Sequence, residues 1–116
     1  MNTMENKIKT LLMKLGIDPS VLGFRYLVSA IGVCYEDPNA LYSGVTKILY
    51  PKVARQFNTT PSRVERAMRH SIERMHYINP NSWENLVFPP PTSTGKYTNS
   101  QFIGACVEYI KMNEEE

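Results

Sequence analysis

The chain of 116 residues has only two cysteines, Cys34 and Cys106, which lie far apart. Each sits in an apolar helical pattern, with no second cysteine or histidine at metal-ligand spacing. Both are expected to be buried free thiols, and the pattern argues against a disulfide framework or a zinc site. No apolar run reaches the roughly eighteen residues needed to cross a bilayer. The N-terminus MNTMENKIKT carries charges but no apolar stretch followed by a small-residue cleavage site, which argues against a secretory leader. A cytoplasmic protein with no membrane partner is expected. A glycine-rich phosphate loop and a nucleophile motif are also missing, and His70 and His76 are not at the four-residue spacing of a helical metal pair. Catalysis is therefore not expected, nor any cofactor or metal. His70 reads as a solvent- or phosphate-facing side chain, and His76 as exposed or capping carbonyls at a helix end.

What is present is helical periodicity, with no strand alternation of useful length and no internal repeat. A chain of this length with 42% hydrophobic residues supports one domain, taken as residues 1–116 with a flexible acidic tail near 113–116. Ile8, Leu11, Leu12 and Leu15 recur at helical steps and stop at Gly16, a glycine cap. Asp18 and Pro19 read as N-cap and first residue of a second helix, with Leu22, Tyr26, Leu27, Ala30, Ile31 and Cys34 as its apolar face and a break at EDPN. Leu41, Val45, Ile48 and Leu49 suggest a third helix, ended or kinked at Pro51. Val53, Ala54 and Phe57 supply a fourth, and Asn58, Thr59 and Thr60 form a polar turn before Pro61 opens a fifth. NPNSWENLVF reads as a short helix within a loop, and PPPTSTGK as a flexible or extended connector. Thr98 with Gln101 makes a capping box for the last helix, whose apolar face is Phe102, Ile103, Cys106, Val107 and Ile110. The expected fold is all-α, about six helices around a central helix-turn-helix.

Charge is unevenly spread. Residues 46–76 hold Lys47, Lys52, Arg55, Arg63, Arg66, Arg69 and Arg74 against Glu65 and Glu73, a local +5 in a chain of overall +2. On a wheel of about 100° per residue, Val64, Ala67, Met68, Ser71, Ile72 and Met75 fall within an arc of roughly 140°. Ser62, Arg63, Glu65, Arg66, Arg69, His70, Glu73 and Arg74 occupy the rest. Such a helix can pack its apolar face on Val53, Ala54 and Phe57 and project its polar face outward, the geometry a DNA-reading helix needs. Arginine can donate twice to guanine, and glutamate can accept from the cytosine amine. Phosphates repel Glu65, so its place among arginines points to base readout or to arginine positioning. The plainer alternative is a solvated face on which Glu65–Arg69 and Arg69–Glu73 are surface ion pairs. A membrane-surface role fits less well, because the opposite face is needed for the core and contains no Trp or Phe.

The run ILYPKVARQFNTTPSRVERAMRHSIERM, together with YTNSQFI, resembles the C-terminal effector domain of the sporulation-initiation transcription factor family, stage zero sporulation protein A. A weaker likeness extends back to LGIDPSVLGFRYLVSAI. The resemblance implies a response-regulator effector domain that binds a short promoter box in double-stranded DNA through a recognition helix at 61–76. It implies Arg63, Glu65 and Arg66 as base-region readers with Arg69 and His70 beside them, and Thr59, Thr60 and Ser62 on phosphate near the helix N-terminus. It also implies a homodimer on tandem sites and contact with the RNA polymerase sigma subunit. The region tied to that contact, HYINPNSWENLVFPPP, matches poorly, and YTNSQFI departs from the family's proline and glutamate. The chain has no room for the receiver domain of full-length members, and its opening Met and uninterrupted helix favour a free-standing relative. The alternative function is a protein-interaction module that dimerises with a full-length regulator and interferes with it.

Overall fold

The computed structural model describes residues 3–81, 84 and 89–114. Helix α1, Thr3–Lys14, buries Ile8, Leu11 and Leu12 and ends where Gly16 takes the left-handed conformation, φ +92°. Gly16 N–H donates to Met13 O at 3.1 Å and Ile17 N–H to Leu12 O at 2.9 Å. These two bonds form a Schellman motif, in which a residue without Cβ satisfies the last carbonyls. Ile17 and Leu12 are both buried, which supplies the apolar contact that accompanies the motif.

Helix α2 spans Leu22–Glu36, a later start than Asp18 and Pro19 suggest. Asp18 is used locally instead, its carboxylate accepting from Ser20 N–H at 2.9 Å and Ser20 Oγ at 2.7 Å. Ahead of the helix this makes a side-chain turn rather than a cap. Leu22 consequently falls on the outer side and is 58% exposed, while Phe24, Tyr26, Leu27, Ala30, Ile31 and Cys34 are buried.

The expected third helix is two pieces. Helix α3, Asn39–Tyr42, is a single turn, and Gly44 leads into a π-helical turn, Val45–Leu49. Leu49 N–H reaches back to Gly44 O at 3.1 Å, a wider loop that seats Leu49 in the core while Ile48 is 40% exposed. Helix α4, Tyr50–Gln56, follows directly with Pro51 in its first turn, where the missing N–H costs nothing.

Helix α5, Pro61–Ile78, is the longest, and α6, Asn99–Glu114, closes the fold. The capping box at α6 is formed in both directions: Thr98 N–H donates to Gln101 Oε1 at 3.0 Å, and Gln101 N–H to Thr98 Oγ1 at 3.3 Å. Asn113 and Glu114, assigned to a flexible tail by the sequence, are helical, and Glu114 accepts a 2.7 Å hydrogen bond from Tyr35 Oη. In the connector, Thr92 Oγ1 donates to Lys96 O at 2.8 Å around Gly95 at φ +73°, so this part is a defined turn. The short helix expected at 79–88 lies largely outside the described residues.

Among the described residues there are six α-helices and no strand. Helix α2 runs through the middle, packed on α1, α5 and α6, and α4 packs on α5. Cys34 and Cys106 are both buried and free. Burial pushes the Cys34 thiol up to about 11 and raises Cys106 further, so neither is a reactive thiolate at neutral pH. No helix among the described residues is long and apolar enough to cross a membrane.

Candidate nucleic-acid interface

The turn between α4 and α5 is a second Schellman motif. Asn58 occupies its left-handed position, φ +54°, which Asn tolerates better than most residues. Asn58 N–H donates to Arg55 O at 3.3 Å and Thr59 N–H to Ala54 O at 2.9 Å. Phe57 pins the turn inward, its ring edge-on to Tyr26 of α2 with centroids 5.2 Å apart. Thr60 then caps α5, its Oγ1 accepting from Arg63 N–H at 3.3 Å, and Pro61 takes the first turn. Helix, tight turn and helix are thus set by local hydrogen bonds within a few residues.

Helix α5 is two-faced as its sequence suggests. Val64, Met68, Ser71, Ile72 and Met75 are buried and Ala67 is half-buried. Helix α2 approaches this face at Gly23, where any Cβ would collide with Ser71 Oγ and the Ala67 carbonyl oxygen. Close contact of the two backbones therefore requires glycine there. The exception on the helix is His76, expected from its position to be exposed or to cap carbonyls. It is buried, and its Nε2 accepts the Tyr97 N–H at 3.0 Å, with the Tyr97 ring centroid 5.7 Å from its own. A hydrogen-bond acceptor at Nε2 is a neutral imidazole protonated at Nδ1. Burial holds the imidazole below its usual range, and Lys96 adds to the effect.

On the outer side Ser62, Arg63, Arg66, Arg69, His70, Glu73 and Arg74 are exposed and Glu65 is half-buried. At about 100° per residue, Arg66 stands near the middle of the outer face, with Arg63 and His70 to one side. Arg69 and Glu65 lie on the opposite flank, where Arg69 Nε meets Glu65 Oε2 at 3.0 Å. That bond, with the charge behind it, holds the Arg69 guanidinium even more firmly protonated than usual. Arg74 flanks the other edge near Asp18, whose carboxyl is depressed chiefly by the Ser20 N–H, then by the Ser20 hydroxyl, with Arg74 adding a smaller share. Two of the four arginines thus have carboxylates of their own chain nearby, and Arg63 and Arg66 point outward beside His70. At the helix start, Thr60 Oγ1 accepts the capping bond while its hydroxyl hydrogen stays available at an exposed position, Ser62 is exposed and Thr59 is half-buried. Lys52 and Arg55 of α4 and Lys47 before it are also exposed, which adds positive charge to the same helix pair.

Three contributors to this geometry were not singled out from sequence: Gly23, His76 as an acceptor, and Asn99 at the first residue of α6. Asn99 is buried, and its side-chain amide donates to Tyr50 Oη at 3.1 Å and to the Glu65 carbonyl oxygen at 3.2 Å. No local pattern marks such a residue, because its partners lie 34 and 49 positions away. Compared with known families, residues 8–110 match the family model described as Sporulation initiation factor Spo0A C terminal.

Proposed function

The chain belongs to the Sporulation initiation factor Spo0A C terminal family, and on that premise we propose that it regulates transcription by binding double-stranded DNA sequence-specifically, with α5 lying in the major groove. The observation that carries this reading is the outer face of α5. Arg63, Arg66 and His70 stand exposed together on a helix whose opposite face is buried and whose start is fixed by a capped tight turn. An arginine fork aimed into the groove can hold two acceptors of one guanine, which sets base identity as well as affinity.

In this reading Arg63 and Arg66 contact bases, with His70 beside them. Glu65 contributes chiefly by orienting Arg69, given the 3.0 Å ion pair between them. A guanidinium held in one orientation loses less freedom on meeting a phosphate or a base than a free one does. Thr59 and Ser62 approach phosphate at the helix N-terminus, where free amides and the helix dipole favour an anion. Thr60 does so with its hydroxyl hydrogen while its oxygen caps and orders the first turn. Two copies would pair on tandem boxes, since DNA raises the effective concentration of one protomer at the next. The protein would act in the cytoplasm.

Selection from random duplex DNA, followed by titration at several salt concentrations, tests the reading. The expected result is an enriched box whose log K falls linearly with log salt, as release of counterions requires. No enrichment and little salt dependence would refute it and leave the protein-interaction role.

A further inference from the structure

Reading bases demands that the recognition helix be fixed in rotation as well as in place. A rotation of about 10° carries a side-chain end at a radius of about 5–6 Å through about 1 Å. Productive contacts tolerate only about 0.5 Å. The apolar face of α5 supplies burial, and burial is non-directional. Among the described residues, α5 has a directional tie near its C-terminal end, where His76 Nε2 accepts the Tyr97 N–H, and one from another helix, α6, near its DNA-facing start. Asn99 Nδ2 has two hydrogens: one goes to Tyr50 Oη at 3.1 Å, the other to the Glu65 carbonyl oxygen at 3.2 Å. That oxygen has two lone pairs, so it can take the bond from Asn99 without giving up its bond within the helix.

The placement is informative. Glu65 directly precedes Arg66, at the middle of the outer face, and its side chain holds Arg69 at 3.0 Å. One residue of α6 therefore grips the backbone of α5 beside one arginine and at the base of the ion pair that holds another. Asn99 is itself anchored, since the Thr98–Gln101 capping box fixes the start of α6 and Asn99 is only 9% exposed. Tyr50, its other partner, begins α4 and is also buried, so a single amide joins three helices.

We propose that Asn99 is a positioning residue for DNA recognition, which sets the rotation of α5 and through it the aim of Arg66 and Arg69. This role rests on the DNA-binding reading above. It separates two quantities that a merely structural residue would lower together: affinity for the preferred box, which depends on aim, and affinity for random duplex, which depends on charge.

The test compares both affinities at one salt concentration for wild type, Asn99→Ala and Asn99→Leu at pH 7.5. Asn99→Leu guards against simple unfolding, because it keeps the branched shape, buries no charge and has no N–H to donate, while the Glu65 carbonyl oxygen keeps its bond within α5. Circular dichroism at the assay temperature establishes that each variant is folded. The expected result is a loss of about tenfold on the preferred box, the scale of one base contact, with random-duplex affinity changed less than about twofold. Tyr50→Phe leaves the bond to Glu65 in place and is expected to keep most of the preference. Equal losses on both duplexes in the folded variants, or an unchanged preference, overturn the role of Asn99. A wild type with no box preference removes the DNA reading itself, and the role falls with it.

Discussion

Gly23→Ala sets two effects of opposite sign against each other. In an ordinary helix the change is stabilising by at most about 1 kcal/mol, since glycine surrenders more backbone freedom on folding. Gly23 is not in an ordinary position. A methyl group there would overlap Ser71 Oγ and the Ala67 carbonyl oxygen and lie 2.9 Å from Ser71 Cβ. The Ser71 hydroxyl can rotate away, but the carbonyl belongs to the backbone of α5 and moves only if the helix does. Prising two packed helices apart falls at or above the upper end of the roughly 1–3 kcal/mol found for overpacked cores. The net expectation is a destabilisation of about 2 kcal/mol, which lowers the melting temperature of a domain this size by roughly 6–12 °C. Thermal and urea unfolding measure it, and Gly23→Ala combined with Ser71→Gly should recover only part of the loss, because the backbone clash persists. A Gly23→Ala protein that melts at or above the wild-type temperature would refute the close approach of α2 to α5.

Other expectations follow from the same geometry. Arg66→Ala should weaken binding to the preferred box by about ten- to a hundredfold and flatten preference at one or two base positions; equal weakening on random duplex would make Arg66 a phosphate clamp. Val64 is fully buried, so Val64→Asp should cost more than about 3 kcal/mol or abolish folding, through an unpaired buried charge; a normal melting transition would mean that α5 is rotated. His76 should make stability depend on pH. Its folded imidazole lies below the ordinary value of 6.5, so the unfolded chain binds the proton more readily. The stabilisation is complete above about pH 6.5 and is lost as the pH falls toward the folded value, with a slope of at most about 1.4 kcal/mol per pH unit. Urea midpoints between pH 8 and pH 5 measure this, and the same slope in His76→Gln would assign it elsewhere. Two boxes in phase should bind more tightly than independent sites allow and lose the gain when shifted by half a turn of duplex; equal affinity per box at every spacing would exclude protomer contact on DNA.

Local chemistry alone determined much of this protein. The stop at Gly16, the Asn58–Thr60 turn, the Pro61 start, the capping box at Thr98 and the split of α5 into buried and exposed faces each depend on residues within a turn or two of one another. Backbone sterics and hydrogen-bond geometry act at that range, so pattern suffices. The same range explains the misreadings. Asp18 could cap a helix or turn on itself toward Ser20, and Leu41 to Leu49 could form one helix or an α-turn and a π-turn. Local pattern does not choose within either pair: Asp18 turns on Ser20, and the Asn39–Leu49 pieces pack against α2 and α4. What only tertiary structure decided is held by distant partners: Gly23 against Ala67 and Ser71, His76 under the Tyr97 amide, and Asn99 between Tyr50 and the Glu65 carbonyl. A glycine, a histidine and an asparagine carry no mark of a partner tens of residues away. Sequence placed four arginines on one helix and already offered the Glu65–Arg69 pair at four-residue spacing, whereas only the fold brought Asp18 near Arg74 and left Arg63 and Arg66 exposed together.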